Sequence, residues 1–173
     1  MRRRAGCAVL AGVITLALSG AAPAAAASGA ESFRGVILTS GRSGTRTVIS
    51  SAVLAKGVFN GVGHIVEIEN LPGDPDNVER DDLVFARGSL HLLSTVEDFS
   101  VSVDPQTCVV HGVVQQTGQI TGGTGTFANA TGASTATVRL LALAARNPDR
   151  TCSEEVPPLF EVDSIASDGT LSF

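Results

Sequence analysis

Residues 116–136, Q-T-G-Q-I-T-G-G-T-G-T-F-A-N-A-T-G-A-S-T-A, constrain the fold of this chain more than any other stretch. Five glycines (Gly118, Gly122, Gly123, Gly125, Gly132) fall within fifteen residues, with threonine at many of the remaining positions and a lone aromatic, Phe127. Glycine permits positive φ and close backbone approach, whereas threonine suits a pleated, half-buried surface. The pattern predicts a tight hairpin or bulge between two strands, with Phe127 sent into a core. It is not a phosphate cradle, because no G-K-[ST] follows and no helix opens on it.

The rest of the chain reads the same way. Residues 33–39 and 47–54 are β-branched runs joined by a polar turn, with residues 28–32 a loose lead-in. Residues 56–70 begin with a Gly-rich kink and end in alternation, Val62, His64, Val66 and Ile68 sharing one face. Residues 71–82, L-P-G-D-P-D-N-V-E-R-D-D, read as the longest polar loop. Strands are predicted over 83–94, 96–103 and 108–116, then after the hairpin over 134–145. Residues 159–173 finish the chain as one strand with a bulge at 167–169. About eight short-linked strands and no helix indicate an all-β fold. A closed, eight-stranded antiparallel β-barrel removes exposed edges most simply, with a two-sheet sandwich as the competing architecture.

Residues 1–27 have the form of a signal peptide, with Arg2, Arg3 and Arg4, a short apolar run and small residues before the cleavage point. Cleavage is expected after Ala27, with Ala24 and Ala30 competing. Residues 28–173 would then form a single domain, exported from a bacterial cell and free of the membrane. That domain keeps 9 basic and 17 acidic residues, about −8 in net charge, and has neither Trp nor Tyr. Such a chain lacks the cations and most of the stacking surface that nucleic acid requires. Cys108 and Cys152 remain and are expected to pair, as isolated cysteines do in oxidising compartments.

Candidate chemistry is sparse. The acidic residues of 74–82 do not follow an EF-hand, so a solvated loop is expected rather than a calcium site. His64, His91 and His111 fall one to a strand, without the i, i+2 pairing of a strand-borne metal site. No metal or cofactor is predicted. Glu97 shares a strand face with Phe99, Val101 and Val103, and an inward carboxylate there needs a raised pKa or a partner. Arg87 and His91 on the preceding strand could supply one. Glu97, His64 and Arg87 are therefore the candidate catalytic residues for general acid–base work on a neutral organic molecule. The competing account leaves Glu97 at the rim in water and His64 as a satisfied core residue.

The run G-G-T-G-T-F-A-N-A-T-G, residues 122–132, resembles the G-G-x-G-x-F-x-x-A-x-G signature of the allene oxide cyclase-like and dirigent-like β-barrels. Gly122, Gly123, Gly125, Phe127 and Gly132 carry the likeness. The resemblance implies a barrel that binds an apolar substrate inside, steers cyclisation or coupling without a cofactor, and forms homo-oligomers. In the cyclases a deep Glu with Ser, Pro and Asn does the steering. Glu97 is put forward for that Glu, and the others have no aligned counterpart. Three functions follow as expectations: a secreted barrel binding a small apolar molecule, a cofactor-free cyclase or isomerase, or a surface protein with a filled barrel.

Overall fold

The computed structural model describes residues 27–42 and 44–173; all but the last residue of the expected signal peptide, residues 1–27, lies outside them. Eight strands follow in order: β1 (Ser28–Ser40), β2 (Thr47–Gly57), β3 (Asn60–Ile68), β4 (Val78–Phe85), β5 (Gly88–Val103), β6 (Val109–Gly123), β7 (Thr131–Leu143) and β8 (Phe160–Ser172). Each pairs antiparallel with its neighbours, and β8 closes back onto β1 as an up-and-down barrel. The sandwich is thereby excluded. Closure leaves no sheet edge along most of the cylinder, the physical gain that favoured it.

The two ends of the barrel differ because their connections differ. At one end the links are short: residues 58–59, 86–87 and the 124–130 hairpin, which carries a 3-10 turn (Gly125–Phe127). Five phenylalanines fill this end. Phe127 is fully buried, its ring centroid 4.9 Å from Phe59 and 4.9 Å from Phe173, with Phe85 5.0 Å from Phe59. Phe33, Leu90, Ile120 and Leu171 complete the plug. Burying an aromatic of this size contributes about 1.5–3 kcal/mol before cavity costs are counted. Gly123 makes the hairpin possible, since a Cβ there would lie 2.2 Å from the Ser89 carbonyl oxygen. Gly125 takes φ +56, the left-handed turn that glycine accepts without strain. Ala27 and Phe173 exchange two backbone hydrogen bonds of 3.0 Å at the same end.

At the other end the connections are long: residues 41–46, 69–77, 104–108 and 144–159. Cys108 and Cys152 are bonded here, with Cα atoms 5.4 Å apart, joining the β5–β6 turn to the β7–β8 loop. β5 overruns β4 from Glu97 to Val103, and β2 leaves β3 below Val53, where the Ser51 hydroxyl bonds the Ile65 backbone instead. The barrel is thus packed solid at one end and flared at the other.

Several boundaries differ from expectation. Residues 28–32 are no loose lead-in; they pair with β8 from Ser172 to Asp168. The polar loop ends at Asn77, and residues 78–82 are the first part of β4. The turn after it falls at Ala86–Arg87, so residues 88–103 form one long strand rather than parts of two. Residues 167–169 stay in register with both neighbours, and the bulges lie elsewhere, at Leu38/Thr39, His91/Leu92 and Val96/Asp98.

Candidate functional site

In a strand, alternate residues face inward, so each strand contributes one parity to the interior. Towards the flared end the inward positions become acidic on three strands: Glu67 and Glu69 on or just past β3, Glu79 and Asp81 on β4, Glu161 and Asp163 on β8. The inward positions of β5, β6 and β7 are mainly apolar, with Val96, Phe99, Val114, Val138 and Leu140, and Gln116 is the polar exception. Between these walls lies an open cavity of about 810 Å³. Its size suits one small organic molecule.

One cation reaches across the acidic side. Arg46, at the foot of the β1–β2 loop, donates Nη1 and Nη2 to the two carboxylate oxygens of Glu67 at 2.7 and 2.8 Å. Its Nε donates to Glu161 Oε1 at 3.2 Å, which also accepts from Thr39 at 3.4 Å. Glu67, with Glu161 beside it, holds the Arg46 guanidinium charge more firmly than usual. Glu79 accepts from the Gln116 amide at 2.8 Å. Arg80 also borders the cavity, but its guanidinium is held by Asp74 at 2.7 and 3.0 Å.

Two carboxyl groups remain poorly compensated. Asp163 is 9% exposed, its Oδ2 lies 3.8 Å from Arg46, and its Oδ1 has no hydrogen-bond partner among the described residues. Burial, and then the charge of Glu161, push its carboxyl up to about 7. Asp81 is pushed up to about 7 by burial, then by the charges of Glu79 and Glu67. Both groups therefore titrate near neutrality, where a carboxyl can either accept or give up a proton.

The residues singled out from sequence are not brought together. Glu97 is the extra residue of the Val96/Asp98 bulge and lies exposed on the outer face, accepting from the Thr117 hydroxyl at 2.7 Å. The bulge puts Val96 and Phe99 on the same inner face, so simple alternation misassigned Glu97. His64 is exposed on the outside of β3, on the face where Val62 is 73% exposed. Arg87 lies exposed in the β4–β5 turn at the closed end. His91 pairs with Asp82 at 2.6 Å, both on outward positions. No group of three or more His, Cys, Asp or Glu side chains among the described residues is arranged to hold a metal.

The acids that do line the cavity were missed, and a signal for them existed. E-I-E, E-R-D and E-V-D each place two acids at i and i+2, on one face of a strand, in three separate strands. A solvated loop has no reason to keep that spacing. Neither a family model, nor a curated protein, nor a solved structure matches this chain. No helix among the described residues is long and apolar enough to cross a membrane.

Proposed function

We propose that the protein is an exported binding barrel that takes a small organic molecule, apolar over most of its surface, into the flared half of its interior. The observation that carries this is the contrast between the two ends. Five phenylalanines and their neighbours close one end, while the other keeps a cavity of about 810 Å³ with one mainly apolar wall. A chain able to pack one end to that density has left the other unfilled. The likeness of residues 122–132 to the allene oxide cyclase-like and dirigent-like barrels supports the same use of the interior. The disulfide and the N-terminal segment support export.

The test is native mass spectrometry of the protein recovered from its own culture medium, beside Val138→Trp, which would fill the apolar side. A bound mass on the parent that is missing from the variant supports the reading. Parent protein that arrives empty, and takes up no Nile red above the level of the variant, refutes it.

A catalytic reading draws on the two carboxyl groups that titrate near 7. Asp81 and Asp163, rather than Glu97, would then be the acid and base of a cofactor-free isomerase or cyclase. Comparing the molecules carried by the parent and by Asp81→Asn decides it. An unconverted precursor on the variant supports turnover, and the same molecule on both refutes it.

A further inference from the structure

The cavity is apolar on one side only, and its other side says something about the head group it accepts. Seven carboxylates and two guanidiniums border it. The cations are already committed, Arg46 to Glu67 and Glu161, and Arg80 to Asp74. An acidic cluster alone would be no more than a hydrated rim. Here one of its members, Asp163, lines the cavity and is nine-tenths buried, and its Oδ1 has no hydrogen-bond partner among the described residues. A buried acceptor of this kind normally has a partner, and leaving it without one costs free energy that a donor from outside would recover.

We propose that the occupant of the cavity is an organic cation with an apolar tail, a primary amine whose ammonium group donates to Asp163 while its tail lies along Val114, Val138 and Leu140. This rests on the binding reading above. The two walls match the two parts of such a molecule: an apolar strip from β5, β6 and β7, and a carboxylate-lined strip from β3, β4 and β8. A carboxylate-headed ligand, such as a fatty acid, would bring a like charge against uncompensated acids and is selected against. An ammonium head would also relieve the repulsion between Glu161 and Asp163, which share a single guanidinium.

The experiment is isothermal titration of the whole folded chain at pH 8 and physiological ionic strength with three eight-carbon probes: octylamine, octanol and octanoate. The proposal expects octylamine to bind at least tenfold more tightly than octanol, with octanoate weakest. In Asp163→Asn, whose circular dichroism should match the parent, the ratio of octylamine to octanol affinity should fall at least fivefold. Octanol binding as tightly as octylamine, with both lost in Val138→Trp, overturns the cationic head and leaves the binding barrel standing. Octylamine binding undiminished in Val138→Trp marks adsorption to an acidic surface and also overturns the proposal. No heat from any probe at millimolar concentration removes the binding reading itself.

Discussion

Replacing Asp163 by Asn should make this protein more stable at pH 8 and leave it nearly unchanged at pH 4. The folded-state carboxyl is raised from 3.8 to about 7, so between those values the folded chain holds a proton that the unfolded chain has lost. Stability therefore falls as pH rises through that window, and the loss is complete above the folded value. Below 3.8 both states are protonated and the group contributes nothing. A shift of about three units corresponds to roughly 4 kcal/mol as a ceiling. Because the cavity opens to solvent, about half of that is expected, roughly 2 kcal/mol. Asn matches the shape of the neutral acid and carries no charge at any pH, so the variant escapes the penalty. Glu31, whose carboxyl burial also raises, is common to both proteins and cancels. Urea unfolding followed by far-ultraviolet circular dichroism at pH 4, 6 and 8 measures the effect; the chain has no Trp or Tyr to serve as a fluorescent reporter. Parent and variant losing stability in parallel from pH 4 to 8 would refute the reasoning, and so would a variant weaker than the parent at pH 8.

Other perturbations test the frame that holds the site. Asp81→Asn should act with the same sign, and the double variant should gain less than the two single gains added, because both carboxyls feel the charge of Glu67; urea curves of all three measure it. Phe127→Ala should cost about 3–5 kcal/mol, since the ring is fully enclosed by three others at the plug, and the midpoint in urea should drop accordingly. Replacing both Cys108 and Cys152 by Ser should cost about 4 kcal/mol by the chain-entropy account of a bridge spanning 44 positions, read from the same curves. Gly123→Ala should cost about 1–3 kcal/mol or more, because the added methyl meets two backbone oxygens, those of Ser89 and Phe127.

The number of strands, their antiparallel order and the disulfide were legible in the sequence because each follows from local chemistry: β-branched runs, turn residues and two isolated cysteines. The site was not, for one physical reason. Reading a strand from its alternation assumes that the apolar face points inward. In β3 the inward residues near the mouth are Glu67 and Glu69 while Val62 and Val66 face out, which inverts the rule and made His64 look like a core residue. The same inversion hid the start of β4, where Glu79 and Asp81 face the cavity and the run V-E-R-D-D passed for a loop. Glu97 failed differently, through a one-residue bulge that no pattern of alternation reveals. At the closed end most inward residues are apolar, with Glu31 the buried exception, so the assumption largely holds there and Phe127 lies where the hairpin pattern placed it.

The pairing of Ala27 with Phe173 has a consequence for how this barrel can be presented. Ala27 and Phe173 lie beside one another, on the side sealed by aromatic rings. A tether, a tag or a neighbouring module attached through either one would hold the molecule by its base. The aperture would then point outward, like a cup set on a shelf, unobstructed by whatever anchors it.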